Sequence, residues 1–424
     1  MYKPKILCLT LHECTGCSAC SNACPHGYIQ LVSNEEGFLY PSVTDQCLGC
    51  GLCDNSCPIL TKQTEIVPEI DQHAVAAISL DPDIRRASSS GGAFSEICKA
   101  YGDQETVVFG ARFDGLCVVH SFVIGIENIG PFCKSKYVQS VIGDSFSEAK
   151  KFLEKGMKVI FSGTPCQIAG LRAFLGKKFK NLLCIDFICH GVGSPSVFAD
   201  SLKAIEKKIG KKLVSYSFRN RIQRMGNWHD FVCRYEFEDG EHLLESSDPY
   251  QSFFLSQLCL RATCGECCKF RNRNRLSDIT ISDLKGKFHI FPRMMDHRNF
   301  STIVCNTHKG ESVFHDMKSV IKFFPLKMEE LEQFNPLFFK TTKSNSSREK
   351  FFSAYTNLDN FESLVIQFCK SNIKCKRKIN NLLPFHLKRL LKIIYNELLT
   401  FKKLYKQKFA CLKNISIRSK KAND

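Results

Sequence analysis

Eight of the chain's 24 cysteines fall into two runs of one form, Cys14-x-x-Cys17-x-x-Cys20-x-x-x-Cys24-Pro25 and Cys47-x-x-Cys50-x-x-Cys53-x-x-x-Cys57-Pro58. Each run puts three soft thiolate donors within seven residues, as one side of a cubane [4Fe–4S] cluster requires. In two-cluster proteins of this spacing the fourth Cys of each run ligates the other cluster. The pattern therefore assigns Cys14, Cys17, Cys20 and Cys57 to one cluster and Cys47, Cys50, Cys53 and Cys24 to a second. The constant offset of 33 residues between the runs reads as an internal duplication. Structural zinc uses paired Cys-x-x-Cys motifs and has no need of a third Cys or of the Pro after the fourth. Disulfides would need an oxidising compartment, and Met1–Cys8 lacks the apolar run and small-residue cleavage site of a secretory leader. The reading is cytoplasmic, with thiols reduced or ligating.

A third set of thiols is scattered. Cys166 lies just past an expected strand, Cys189 at the end of the next, and Cys264 and Cys267 form a Cys-x-x-Cys in a polar, turn-like hairpin. Together they could hold a further cluster. From spacing alone Cys264 and Cys267 could equally hold zinc, and isolated cysteines are commonly small core residues. His190, beside Cys189, and His120 are the candidate proton donors, although a lone His is usually a satisfied polar side chain.

The elements that must position these residues are legible in outline. A boundary near residue 70 separates the cysteine-rich module, 1–65, from a larger domain over 70–360. Ala74 to Ile78 reads as a strand, Ser88-Ser89-Ser90-Gly91-Gly92 as a loop, and Ala93 to Ala100 as a helix opening from it. Free backbone N–H groups at such a helix start suit phosphate. Lys158 to Ser162 reads as a strand. Thr164 caps a helix with Pro165 at its first position, and that helix runs to Leu175 and stops at Gly176. Leu182 to Ile188 is the next strand, expected to be parallel to the first. Ligands of open α/β sheets bind outside the carboxyl ends of such strands, which turns Cys166 and Cys189 toward one crevice.

The net charge of +17 is concentrated in residues 370 to 424, which hold 16 Lys and Arg against Glu397 and Asp424. A nearly neutral body argues against nucleic acid, whose footprint would cross the folded domain. Within the 365–424 extension, residues 387 to 409 repeat Leu, Ile, Phe and Tyr at helical spacing between lysines and Arg389. This is a cationic amphipathic helix that could dock on its own domain, on a partner subunit, or on the inner face of an anionic membrane.

Five motifs in order, Ser88-Ser89-Ser90-Gly91-Gly92-Ala93-Phe94, Ser135-Lys136-Tyr137-Val138-Gln139-Ser140, Phe161-Ser162-Gly163-Thr164-Pro165-Cys166-Gln167, Asp186-Phe187-Ile188-Cys189-His190-Gly191 and Cys264-x-x-Cys267, resemble the β-subunit family of coenzyme F-420 hydrogenases and dehydrogenases. The resemblance spans about 73 to 355, with a ferredoxin unit fused ahead. It implies a two-cluster ferredoxin-like α+β module followed by an α/β flavin-binding domain that carries FAD and at least one [4Fe–4S] cluster. It makes Ser89, Ser90, Gly91, Gly92, Gly163 and Thr164 candidate flavin contacts, and Lys136 and Arg219 candidates for flavin phosphate or an anionic substrate. It also supports Cys166, Cys189, Cys264 and Cys267 as ligands of a third cluster. Two stretches depart from the family pattern: Ser282-Asp283-Leu284-Lys285-Gly286 lacks the expected Gly and both aromatics, and Asn227 stands between Gly226 and Trp228.

The function so implied is that of an iron–sulfur flavoprotein oxidoreductase moving electrons between clusters and a two-electron substrate, a small or sugar-linked metabolite of polysaccharide synthesis, in contact with a redox partner protein. The alternative is an electron-transfer subunit that serves a partner enzyme and has no substrate of its own.

Overall fold

The computed structural model describes residues 3–61, 69–224, 227–266, 270, 275–284, 300–357 and 361–369. The chain divides into two compact units, Met1–Leu364 and Val365–Asp424. The basic amphipathic helix expected over 387–409 lies outside the described residues, as does Cys267. No described helix is long and apolar enough to cross a membrane.

The 33-residue repeat of the cysteines is also a repeat of the backbone. Gly16 and Gly49 both stand at φ +67°. Two residues on, Ser18 and Gly51 are left-handed at φ 66° and 75°, and each opens onto a single-turn helix, Ala19–Asn22 or Leu52–Asn55. Glycine enters this region without steric cost. Ser18 does so with its carbonyl bonded by Ser21 Oγ and Asn22 Nδ2 at 2.9 and 3.0 Å. Between the repeats β1 (Ile29–Ser33) and β2 (Leu39–Val43) form an antiparallel hairpin. Ile6 and Ile29 pack directly with Cys53 and Cys57, so the thiols are part of the small core.

The larger sheet begins with β3 (His73–Ser79), β4 (Val107–Asp114), β5 (Cys117–Ile124), β6 (Val159–Ser162) and β7 (Leu182–Phe187). A separate antiparallel sheet follows, made of β8 (Leu213–Arg224), β9 (Asn227–Phe237) and β10 (His242–Glu245) in the order β10-β9-β8. β11 (Ile279–Asp283), β12 (Ser301–Cys305) and β13 (Ile321–Leu326) then complete an eight-stranded mixed sheet, β13-β3-β12-β11-β7-β6-β4-β5. Its centre, β11-β7-β6-β4, is parallel, and the remaining pairs are antiparallel.

Period-two alternation assigns the two faces. Val108, Ile160, Leu183 and Ile185 enter one core with Ile97 and Val313. Val107, Phe109, Val159, Phe161, Leu182 and Cys184 enter the other with Phe146, Ile168 and Leu171. Burial on both faces explains why these strands read as continuous apolar runs. The crossover from β6 to β7 is the helix Pro165–Leu175. Thr164 and Gln167 form a reciprocal capping box at its start, and Gly176 ends it in the left-handed region.

The cysteine-rich module lies within the same compact unit as the sheet, although the sequence suggested a boundary near residue 70. Its hairpin turn is plugged into the larger domain. The Glu36 carboxylate takes a two-pronged ion pair from Arg348, Nη1 to Oε1 at 2.9 Å and Nη2 to Oε2 at 2.5 Å. The Glu36 carbonyl accepts from Ser194 Oγ at 2.6 Å. Asn22, at the end of its helix, donates to the Gly143 carbonyl at 2.8 Å and accepts from Ser147 N at 3.2 Å.

Candidate metal centres

The first predicted ligand set is gathered in space. Burial pushes the Cys17 thiol up to about 12, and Cys57 and Cys14 add to the shift as like-charged neighbours. Cys20 is raised by burial and then by Cys17, Cys14 and Cys57. Cys57, raised chiefly by burial, also feels Cys14. Cys14, Cys17, Cys20 and Cys57 are thus mutual neighbours across the two runs, as crossed ligation requires. In the second set, Cys53 is pushed up to about 11 by burial, then by Asp54 and Cys50, while Cys24 packs into the core that contains Cys53. Cys50 is exposed and Cys47 half-buried. Asp54 is fixed beside this set by accepting from Lys5 N and Ile6 N, both at 3.0 Å. No three His, Cys, Asp or Glu side chains among the described residues converge tightly enough to hold one metal ion. A four-iron cube is larger, so its thiolates stand further apart around it.

The third set is brought together as far as the described residues reach. Cys166, Cys189 and Cys264 line one narrow cleft, with Thr15, Gln139, Thr164 and Phe270 among the other walls. Cys166 follows β6 and Cys189 follows β7, at the carboxyl ends of parallel strands. Cys264 sits in a 3-10 turn, Ala262–Gly265, rather than in the expected hairpin. The thiols meet donors suited to thiolate sulfur. Val192 N–H donates to Cys264 Sγ at 3.5 Å, and Thr164 Oγ1 stands 3.1 Å from Cys166 Sγ. Three soft donors with hydrogen bonds to sulfur fit a cluster, whose potential such bonds tune.

The same cleft abuts the first ligand set. Thr15, next to Cys14, is one of its walls, and Gln139 Nε2 donates to the Thr15 and Gly16 carbonyls, both at 3.4 Å. One turn along the helix that starts beside Cys166, Gly170 faces Cys17. A Cβ there would stand 2.9 Å from Cys17 Sγ. Arg261, three residues before Cys264, bonds the Cys14 carbonyl through Nε at 3.0 Å. Gly170 and Arg261 were not singled out from the sequence. Gly170 carried a signal, since an isolated Gly inside a helix needs a packing reason, whereas Arg261 looks like any cation in a polar loop.

Part of the set assigned to a flavin by resemblance is brought together: Ser135, next to Lys136, is bonded to Ser89 and lies 3.4 Å from Arg219 Nη1 through its hydroxyl. In the Ser88–Gly92 loop, Ser89 Oγ accepts from Ser135 N at 2.8 Å, Ser90 Oγ donates to the Phe300 carbonyl at 2.9 Å, and Gly91 N donates to Ser301 Oγ at 2.9 Å. Gly92, at φ +93°, leads into the helix Ala93–Tyr101 without a side-chain cap. Gly163 and Thr164 belong instead to the thiol cleft region, where the Thr164 hydroxyl caps its helix. Lys136 donates to the carbonyls of Pro131, Cys133 and Lys134 at 2.9, 3.0 and 3.2 Å, which occupies all three ammonium protons. Burial lowers its pKa to about 8. Arg219 lies where the β8–β9 register shifts. It pairs with Asp283 at 2.6 Å, a residue of the stretch that departs from the family pattern. Both cations are engaged by protein groups.

His120 Nε2 is 3.1 Å from the Ser162 carbonyl and Nδ1 is 2.8 Å from Ser140 Oγ. Burial lowers its pKa to about 4, which keeps the ring neutral. The His190 ring lies against Phe254, 5.1 Å between centroids, and its carbonyl accepts from Thr342 Oγ1 at 2.5 Å. It is not a wall of the thiol cleft. Asp186, of the same motif, is buried against Arg275 Nη1 at 3.1 Å and accepts from Thr280 Oγ1 at 2.5 Å, which is a structural role.

Comparison with known proteins supports the two clusters of the cysteine-rich module. Residues 13–60 match the 4Fe-4S dicluster domain, and residues 156–328 match the family described as the C terminus of the coenzyme F-420 hydrogenase/dehydrogenase beta subunit. No curated protein matches the chain. Among solved structures it is similar to a chain of the xenon-derivatized F-420-reducing [NiFe] hydrogenase complex from Methanosarcina barkeri. The identity is 15%, the match covers 64% of this chain and 88% of that one, and the TM-score is 0.42. Residues 156–328 thus match the C-terminal part of the coenzyme F-420 hydrogenase/dehydrogenase beta-subunit family, behind a 4Fe-4S dicluster domain at residues 13–60.

Proposed function

We propose that this protein is an iron–sulfur electron carrier with three [4Fe–4S] sites, two in the dicluster domain and one in the cleft of Cys166, Cys189 and Cys264, with Cys267 as fourth ligand. Clusters of this kind supply one-electron exchange at potentials set by hydrogen bonding and burial. The observation that carries the reading is the shared wall: Thr15 and Gln139 belong to the third cleft while touching the segment that bears Cys14, and Gly170 sets the Cys166 helix against Cys17. Two centres a single side chain apart form a relay, and the protein's part is to hold them in line.

The dicluster motif and the thiol cleft beside it support the electron-transfer subunit, and an enzyme with its own flavin-coupled substrate is the second reading. Nothing among the described residues selects a sugar-linked metabolite, so the proposal names no organic substrate. A redox partner protein completes the circuit.

The test is anaerobic purification with iron, acid-labile sulfide and flavin measured on one sample. Three clusters give about twelve irons per chain, and Cys189→Ser should bring this to about eight. Eight irons in the fully reconstituted wild type, unchanged in Cys189→Ser, would remove the third centre. One flavin per chain would return the enzyme reading.

A further inference from the structure

We propose that Arg261 is a positioning residue that raises the reduction potential of the cluster held by Cys14, Cys17, Cys20 and Cys57, and locks that cluster to the turn carrying Cys264. The inference rests on the ligand assignment above and needs only the dicluster part of it.

Arg261 is 1% exposed, the largest fully buried side chain of the described residues. Its backbone belongs to the third cleft: its N–H bonds the Val192 carbonyl at 3.0 Å, and its carbonyl accepts from Cys264 N at 2.9 Å. Its side chain crosses into the cysteine-rich module. Nε reaches the Cys14 carbonyl at 3.0 Å, Nη1 the Leu39 carbonyl and Gln139 Oε1, both at 3.1 Å, and Nη2 stands 3.7 Å from Cys14 Sγ. The guanidinium lies over the Tyr40 ring at 4.0 Å.

None of these partners, all among the described residues, is a carboxylate. A buried charge without a counter-charge is strongly disfavoured, and guanidinium does not escape by losing its proton. The anion that answers it is the thiolate set itself. A [4Fe–4S] cluster on four thiolates is anionic in both oxidation states and more so when reduced, so a fixed cation against one ligand sulfur favours the reduced form. Net charge and hydrogen bonds to sulfur are the terms that move cluster potentials. Gly16 is part of the same device, because a Cβ at that position would stand 2.7 Å from Arg261 Nη1 and 2.6 Å from Gln139 Nε2.

The experiment is an EPR-monitored redox titration of the anaerobically purified full chain as wild type, Arg261→Gln and Gln139→Glu, with iron counted on each sample. Arg261→Gln removes the cation, and Gln139→Glu places a carboxylate against it without truncating it. Each should move one low-potential signal to more negative potential while the others stay. The expected size is at least a tenfold change in its oxidised-to-reduced ratio, about 59 mV for one electron. Unshifted midpoints in variants with full iron would overturn the proposal. So would loss of the dicluster iron in both variants, which would make Arg261 a purely structural lock. A wild type that binds no iron refutes the ligand assignment instead, and one with eight irons removes only the third centre.

Discussion

Replacing Gly170 by Ala tests the contact between the two halves of the proposed relay. In an ordinary helix interior this change stabilises, by roughly 0.5–1 kcal/mol. Here the added Cβ would lie 2.9 Å from both Cβ and Sγ of Cys17 and 3.4 Å from Phe146 Cε2. Carbon contacts settle at about 3.5–4.0 Å, so Cys17 or the helix must move by roughly 0.6–1 Å. Cys17 is 8% exposed and Phe146 is fully buried, which leaves little room to yield. Overpacking of this kind costs about 1–3 kcal/mol. The balance is a net loss of about 0–2 kcal/mol, opposite in sign to the generic effect, and the strain falls on a ligand. Urea denaturation of wild type and variant reads the first effect, and iron per chain after identical reconstitution reads the second. A Gly170→Ala protein more stable than wild type and equally loaded with iron would refute the packing argument.

Two further outcomes follow from buried polar groups. His120 has a folded-state pKa of about 4, below its ordinary value of 6.5, so the unfolded chain binds the extra proton between those values and stability falls as pH drops through that window. From pH 7 to pH 5 the loss is about 2 kcal/mol. Paired urea midpoints should show it in wild type and not in His120→Gln, and equal slopes would sink the assignment. Asp186→Asn removes the carboxylate that pairs with Arg275, whose side chain is 0% exposed. Calorimetry or denaturant melts should show a loss of about 3–5 kcal/mol, and a change under 1 kcal/mol would mean that the pair is not buried as described.

What could be read in advance follows the range of the interactions. The dicluster module was legible because ligand chemistry fixes local spacing, and the 33-residue offset repeats through the backbone as well as the thiols. The strands and the helix from Pro165 to Leu175 were legible because capping residues and apolar runs are local signals. The relation of Cys166, Cys189 and Cys264 was legible only as a topological expectation, that parallel strands end on one side. Pairings at long range were not. Asp283 with Arg219, Glu36 with Arg348 and Arg261 with Cys14 join residues 64, 312 and 247 positions apart. Nothing local to Arg219 marks its pairing with Asp283.

Those long-range pairings also decide how the dicluster domain can work. A carrier on a tether exchanges electrons by swinging between partners, and its contacts with the main body must then be few and exchangeable. Here the hairpin turn is held by a two-pronged ion pair in which Arg348 and Glu36 are 11% and 16% exposed, a geometry in which such pairs are strong. Arg261 is buried against the Cys14 segment, and Gly170 admits Cys17 at a distance that no larger residue allows. These contacts come from three separate parts of the main body, so releasing one leaves the other two. The dicluster domain is therefore built to stay docked on the main body.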